Sequence, residues 1–363
     1  MSRGYSLSRK DGWQRFCNTP GRIRPETLTM KSLAALGEDA REEHDDNRMD
    51  WHANFGTIAT PQLAGAREQL ELIVDSNRQD SDRVRGAAVV DGLPGLGKTT
   101  LVNLFGREQH RKAIRRHGQV TESGDEHIPV FRVGLTSHTT LRELNHRICG
   151  FYAHPGADRG NAAQLGTYAL DCVLSCSTRI GIIDDVHFIN QQSKDGLAVS
   201  NHLKWLANEL PVTFIYAGVG LEERRFFEEG LSGRSSALAQ SGRRWTRLEI
   251  GFFELDDHWT SLVKAIDKQL ILARWRPGQL TRHADYLFTR TGGHIGSLMT
   301  LVNRGTVKAI RTGGEAITRD LLDTIPIDET AEKGRRRSEA TDRNRRQRRT
   351  SAESTASGKA DQP

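Results

Sequence analysis

The stretch AAVVDGLPGLGKTT, residues 87–100, decides the fold of this chain. Its first five residues, of which four are apolar, predict a short buried strand, and a helical pattern begins at Lys98. Between them, residues 92–99 match the spacing G-x-x-x-x-G-K-[ST]. Glycines let the backbone curl so that its N–H groups point at phosphate oxygens, and the helix N-terminus adds partial positive charge. The stretch therefore predicts a phosphate-binding loop.

The residue types in this loop predict a site for ATP and Mg²⁺. Lys98 is expected to reach the β- and γ-phosphates, and Thr99 is expected to ligate Mg²⁺. A strand-to-helix turn without a ligand is the alternative interpretation. The predicted nucleotide-binding residues line the turn or follow a second strand, and they are Gly92, Pro94, Gly95, Leu96, Gly97, Lys98, Thr99, Thr100 and Asp184.

A second apolar run, residues 180–183, ends in Asp184 and Asp185. A phosphate-binding loop of this kind needs a carboxylate on the Mg²⁺ side at the end of another strand, and Asp184 is the candidate. Asp185 follows where many ATPases keep a glutamate that polarises the attacking water. Aspartate is one methylene shorter than glutamate, so its carboxylate reaches less far toward that water. A helix N-cap at Asp184 and a non-catalytic Asp185 remain alternatives.

Strands and helices alternate over about 190 residues, which predicts an α/β P-loop fold with a parallel sheet between layers of helices. After Pro277 the pattern is purely helical and predicts a small all-helical lid. The expected divisions are a mostly disordered N-terminal arm (1–50), the P-loop ATPase core (51–276), the lid (277–330) and a basic disordered tail (331–363).

Charge and composition limit the classes of protein. The net charge is +6, and the tail from residue 331 holds ten Lys/Arg against five Asp/Glu, so the body is nearly neutral. No run approaches the roughly 18 apolar residues of a membrane span, and residues 1–24 lack the apolar core of a secretory signal. Four cysteines in 363 residues are not a disulfide framework. We expect a cytoplasmic protein.

Arg243 and Arg244 close a helical stretch just before the predicted strand 246–250. An arginine there can face the γ-phosphate of a neighbouring subunit and stabilise charge in the transition state. We therefore add both to Lys98 and Asp185 as candidate catalytic residues. Ordinary surface basicity is the alternative interpretation, and the pair at 224–225 is a weaker candidate.

Several local motifs give the chain a family resemblance. They are IATPQ (58–62), DDVH (184–187), YAG (216–218), RRW (243–245) and TGGHIGSL (291–298). Together with the phosphate-binding loop they resemble AAA+ ATPases, and more narrowly the TniB family of transposition ATPases, relatives of TnsC. The resemblance covers roughly residues 50–325.

The resemblance implies a Mg²⁺-dependent ATPase that assembles as a homo-oligomeric ring or filament on double-stranded DNA. It also implies recruitment or activation of a DDE-type transposase, with the protein acting at the nucleoid and not at a membrane. The sequence departs from the family pattern in three places. Asp185 replaces the usual glutamate, residues 218–220 offer no polar side chain after their strand, and the lid motif lacks an arginine, with His294 as its nearest polar group.

The DNA-contacting surface is left open by the sequence. Arg142, His146 and Arg147 recur at helical spacing where related ATPases often contact DNA, although a solvated helix face is the simpler interpretation. The arginine runs at 335–337 and 345–349 offer salt-sensitive attraction to phosphates. Two other functions remain alternatives: an ATP-binding assembly switch with negligible hydrolysis, and a STAND-type signalling ATPase.

Overall fold

Five strands form one parallel sheet whose apolar runs are buried. They are β1 (Ala87–Gly92), β2 (Val130–Gly134), β3 (Ile180–Asp184), β4 (Thr213–Ala217) and β5 (Trp245–Ile250). The spatial order is β2-β3-β4-β1-β5, and every pairing is parallel. A parallel sheet needs helices as crossover connections, and these cover its faces. The predicted fold class is confirmed.

The computed structural model describes residues 4–56, 58, 60–79, 85–137, 139–189, 193–221 and 245–336. It divides into two compact units: the first takes in residues 1–21 and 61–251, and the second takes in residues 22–60 and 252–363. Each unit has its own hydrophobic core.

Twelve α-helices are assigned within the described residues. They are α1 (Lys10–Asn18), α2 (Met30–Ala34), α3 (Glu38–Ala53), α4 (Pro61–Ser76), α5 (Lys98–His117), α6 (Leu141–Phe151), α7 (Ala162–Ser175), α8 (Lys194–Glu209), α9 (Asp257–Asp267), α10 (Ala284–Thr291), α11 (Ile295–Arg311) and α12 (Arg319–Asp323). Among the described helices, none is both long enough and apolar enough to cross a bilayer. Helices α1 and α4–α8 belong to the first unit, and the others form the second.

The second unit begins earlier than expected. We predicted that the helical part would start after residue 276, but α9 already belongs to it. Trp259 on α9 is fully buried in the second core, and its indole Nε1–H donates to the Ala284 carbonyl at 2.9 Å. The sequence misled us because α9 continues the alternation of strand and helix after β5.

The N-terminal 50 residues also differ from the expected disordered arm, since the structure places three helices there. In α1, Trp13 and Cys17 are fully buried in the first core. The Trp13 ring packs so closely on α5 that a Cβ on Gly106 would lie 3.0 Å from it. Low mean hydropathy over the segment concealed these few apolar anchors.

In α3 the buried anchor is a charged residue, which explains why hydropathy gave no signal for this helix. Arg48 is 1% exposed and donates two hydrogen bonds, of 2.8 and 2.9 Å, to the carboxylate of Glu315, which is fully buried. His52 on the same helix accepts from the Ile271 N–H at 3.0 Å. Buried charges of opposite sign are stable together only when both are hydrogen-bonded, as they are here.

Truncation of Trp13 tests whether α1 is an integral part of the first unit. We expect Trp13→Ala to lower the free energy of unfolding of that unit by about 3 to 5 kcal/mol, because it removes a fully buried ring and leaves a cavity. Thermal unfolding followed by circular dichroism measures the change. Trp205→Ala, at a tryptophan that is 39% exposed, is the control and should shift the transition little. If Trp13→Ala shifts the unfolding transition as little as Trp205→Ala does, α1 contributes nothing to the stability of the first unit.

Candidate nucleotide-binding site

The phosphate-binding loop joins the carboxyl end of β1 to the N-terminus of α5, as predicted. Gly95 and Gly97 have φ values of +75° and +93°, and an added Cβ at either would meet no atom within 4 Å. Glycine is therefore required at both positions by backbone conformation, not by lack of space. The loop consequently has the curl that turns backbone N–H groups toward a bound anion.

Gly92 is required for a different reason. Its φ is +153°, and a Cβ there would lie 2.2 Å from the carbonyl oxygen of Ile250 on β5. The neighbouring Asp91 is buried, and its Oδ1 accepts from the N–H groups of Gly92 at 2.8 Å and Leu221 at 3.1 Å. Asp91 thus fixes both the start of the loop and the segment after β4, a role that the sequence did not suggest.

Lys98 opens α5 and is 8% exposed. Its Nζ donates to the carbonyl oxygens of Gly92 at 2.7 Å and Leu93 at 2.6 Å. Burial lowers the pKa of the ammonium, while the nearby carboxylates of Asp91, Asp184 and Asp185 oppose that shift. The positive charge is therefore held inside the loop, next to the space that the glycines leave open.

Thr99 and Asp184 come together from different elements. The Thr99 hydroxyl on α5 donates to Asp184 Oδ1, at the end of β3, over 3.3 Å. Both groups are hard oxygen donors, which suits Mg²⁺, an ion that takes one or two protein ligands and completes its shell with phosphate and water. In agreement, no cluster of three or more His, Cys, Asp or Glu within the described residues could hold a metal alone. The residues fit a Mg²⁺–nucleotide complex.

Asp185 follows directly, with its backbone in the left-handed region at φ 60° and ψ 33°. Its N–H donates to Asp184 Oδ1 at 3.0 Å. Burial raises the pKa of the Asp185 carboxyl, and the charge of Asp184 raises it further, against the opposing effects of Arg132, His187 and Lys98. A carboxylate whose pKa is raised is a stronger base, which is compatible with the predicted activation of water.

Arg132 is a site residue that the sequence analysis missed. It lies in β2, and its Nη2 reaches Asp184 Oδ2 at 2.6 Å, while its Nη1 donates to Ser8 Oγ at 3.0 Å. Its Nε is buried and has no hydrogen-bond partner. A charged residue inside an apolar strand next to the strand of Asp184 was the signal that could have revealed it.

Other predicted residues contribute less or cannot be placed. Leu96 is 3% exposed and anchors the loop in the core, whereas Pro94 and Thr100 are exposed. Arg243 and Arg244 lie outside the described residues, as do the pair at 224–225, Ala59 of the IATPQ motif and the arginine run at 345–349. After β4, residues 218–220 carry no polar side chain, and a Cβ at Gly218 would lie 2.8 Å from a methyl group of Leu221.

The three predicted DNA-contacting residues on α6 all have partners within the chain. Arg142 donates from Nε to the Gly160 carbonyl at 3.1 Å, and His146 lies 3.0 Å from Asp158. Arg147 donates to the Gly134 carbonyl at 3.1 Å and pairs with Glu143 at 2.9 Å. These contacts favour the simpler interpretation, a partly solvated helix face.

The TGGHIGSL motif has a structural explanation inside the second unit. Gly292 ends α10 in the left-handed conformation, with φ 61°. At Gly293, with φ +73°, a Cβ would lie 2.1 Å from the Phe253 carbonyl oxygen, and the Phe253 N–H donates to the Gly293 carbonyl at 2.9 Å. His294 then occupies the N-cap position of α11, where its side chain makes no capping hydrogen bond. The glycine pair therefore permits a close backbone approach that no other residue would allow.

Residues 81–226 match the family described as an AAA domain. The match spans 146 of the 363 residues, so this part of the chain is similar to an AAA domain. The matched range holds the phosphate-binding loop, Asp184 and Asp185, and proteins of this class are generally ATPases. No curated protein matches the sequence.

Solved structures show the same AAA+ P-loop fold. The ORC1 protein of Aeropyrum pernix in complex with DNA has a TM-score of 0.57 at 14% identity, covering 76% of this chain and 68% of that one. The ORC2 protein of Aeropyrum pernix (ADPNP–ADP complexes) gives 0.55 at 14%, covering 75% and 69%. Cdc6p from Pyrobaculum aerophilum gives 0.51 at 13%, covering 74% and 67%. At these identities the likeness establishes the fold alone.

Removal of the Arg132 charge tests the arrangement around Asp184. Binding of a fluorescent ATP analogue is measured at increasing Mg²⁺ concentrations. We expect Arg132→Met to reach half of the full Mg²⁺ effect at a Mg²⁺ concentration at least about threefold lower than the wild type. The change frees Asp184 Oδ2 and removes a positive charge beside the predicted metal position. Arg147→Met is the control and should leave the Mg²⁺ requirement unchanged. An unchanged or higher requirement in Arg132→Met would contradict this assignment.

Proposed function

We propose that this protein is an ATP-hydrolysing accessory protein of DNA transposition. In this proposal it binds Mg²⁺–ATP, assembles as a homo-oligomer on double-stranded DNA in the cytoplasm, at the nucleoid, and recruits or activates a DDE-type transposase. The observation that carries the ATP-dependent part is the approach of Thr99 to Asp184 at 3.3 Å beside a loop with the required glycine conformations.

The proposed roles of Lys98, Thr99, Asp184 and Asp185 rest on their positions, and those of Arg243 and Arg244 rest on the sequence. Lys98 would leave its carbonyl partners and bind the β- and γ-phosphates, and the loop N–H groups would bind the remaining phosphate oxygens. Thr99 and Asp184 would hold Mg²⁺, which would neutralise charge on the phosphates. Asp185 would orient and deprotonate the attacking water. Arg243 or Arg244 would act on the γ-phosphate bound to a neighbouring subunit.

The DNA-dependent part is supported by sequence motifs and by a structural likeness. The motifs IATPQ, RRW and TGGHIGSL resemble the TniB family, and one structure with the same fold, ORC1 of Aeropyrum pernix, was solved in complex with DNA. The ORC2 structure was solved as ADPNP–ADP complexes. These likenesses support nucleotide and DNA binding by this chain. The transposase is inferred from the motif resemblance.

A second candidate function is an assembly switch that binds ATP and hydrolyses it negligibly. Two observations favour it: Asp185 has one methylene fewer than the usual glutamate, and residues 218–220 carry no polar side chain after β4. In that case ATP would hold the oligomer together without turnover. The two functions share the same nucleotide site and differ only in the chemical step.

The test combines the ATPase rate with sedimentation, each measured with and without duplex DNA. We expect the wild type to form large complexes that require ATP, with turnover stimulated by DNA, whereas Lys98→Ala should do neither because it lacks the phosphate-binding ammonium. Asp185→Ala should keep the complexes and lose turnover.

Each other result has a definite meaning. Complexes with turnover no higher than that of Lys98→Ala would favour the assembly switch. The absence of any DNA effect on either quantity would contradict the transposition function, and ATP-dependent oligomers without affinity for DNA would favour a STAND-type signalling ATPase.

A further inference from the structure

A basic pocket of about 290 Å³ lies in the first unit at the sheet edge opposite the phosphate-binding loop. Its lining comes from the amino ends of β1–β4 and from the last turns of α4 and α5, whereas the loop follows the carboxyl end of β1. None of the described lining residues is acidic. The basic side chains of this pocket are Arg78, Arg85, Lys112, Arg116, His117 and Arg179.

Arg85 is fixed in the wall of the basic pocket. Its Nε donates to the main-chain carbonyl of Asn77, and its Nη2 donates to that of Gln79, each over 3.2 Å. Asn77 is held in turn, because its side-chain amide donates to the Gly86 carbonyl at 2.7 Å and to Thr213 Oγ1 at 3.0 Å. The guanidinium therefore stands in one orientation before any ligand arrives.

Among the described residues, few carboxylates face the positive charges of the basic pocket. Burial lowers the pKa of Arg85, and the positive charge of Arg179 lowers it further. Of the basic lining residues only Arg78 has a carboxylate partner among the described residues, Asp75 at 2.6 Å. Like charges that line one pocket repel one another, and a bound anion relieves that repulsion.

The C-terminus of α5 explains only some of the basic side chains in this pocket. Arg116 and His117 belong to the last turn of α5, where the helix dipole favours cations. Arg85 and Arg179 instead precede strands, and a sheet has only a small dipole. The helix dipole therefore does not account for Arg85 and Arg179.

We propose that the basic pocket binds phosphate groups, independently of the phosphate-binding loop. Guanidinium groups bind phosphate through paired N–H donors, and fixed arginines do so with little loss of conformational freedom. Backbone phosphates of duplex DNA and a free polyphosphate both present this chemistry. The site goes beyond the proposed function, which assigns ATP to the opposite edge of the sheet.

The test uses the full-length chain carrying Lys98→Ala, so that the phosphate-binding loop does not contribute. Tripolyphosphate binding is measured by calorimetry, and binding of a labelled DNA duplex is measured by fluorescence anisotropy at several salt concentrations. The pocket variant adds Arg85→Gln and Arg179→Gln. The control variant adds Arg115→Gln and Arg159→Gln, which remove the same charge from exposed positions outside the pocket. A third variant, Lys112→Gln with Arg116→Gln, covers the case that loss of the Arg85 hydrogen bonds prevents folding.

We expect the pocket variant to lose at least about tenfold in tripolyphosphate affinity, and the control to lose less than about twofold because exposed charges are screened. If DNA is the ligand, the slope of log affinity against log salt concentration should also fall, in the pocket variant alone, by the amount expected for about two lost phosphate contacts. Loss of tripolyphosphate binding without an effect on DNA would assign the pocket to a free polyphosphate.

Two results would overturn the proposal. One is an equal loss in the pocket and control variants, which would reduce the effect to net charge. The other is the absence of both tripolyphosphate and DNA binding to the Lys98→Ala chain. Because the phosphate-binding loop is already disabled in these variants, either result would leave the proposed function intact. Conversely, failure of the wild type to bind ATP would not affect the proposal for the basic pocket.

Discussion

The parallel pairing of β1, β4 and β3 is the constraint on which the site depends. Since all three strands run in the same direction, the loop after β1 and the aspartates after β3 emerge at the same edge, on either side of β4. The distance of 3.3 Å from the Thr99 hydroxyl to Asp184 is the direct consequence. A change in strand order would separate these groups even if every motif were kept.

The charged side chains at that edge of the sheet are held in place by one another and by the backbone. Lys98, Asp184 and Arg132 are largely buried, and each has a hydrogen-bond partner that offsets its removal from water. Arg132 already holds one oxygen of Asp184, so a metal ion at Asp184 would share the carboxylate with a cation. The same arginine contacts Ser8, which ties the segment before α1 to the site. The N-terminal segment is therefore structurally connected to the nucleotide-binding edge.

The sequence predicted the parts of the structure that local patterns encode. The sheet, the loop glycines and the place of Asp184 follow from apolar periodicity and a fixed motif spacing. Helix α3 could not be predicted in this way, because its anchor is the ion pair of Arg48 with Glu315, residues 267 positions apart. Arg132 was missed for a related reason: its meaning depends on which strand lies beside β2, and a single sequence does not show strand order.

The central claim is that the loop at residues 92–99 binds ATP with Mg²⁺ shared between Thr99 and Asp184. Equilibrium binding of a fluorescent ATP analogue to the wild type, Lys98→Ala and Asp184→Asn tests it most directly. We expect saturable binding at one site per chain in the wild type, loss of binding in Lys98→Ala, and loss of the Mg²⁺ effect in Asp184→Asn. Binding of equal affinity and equal Mg²⁺ dependence in all three proteins would contradict it.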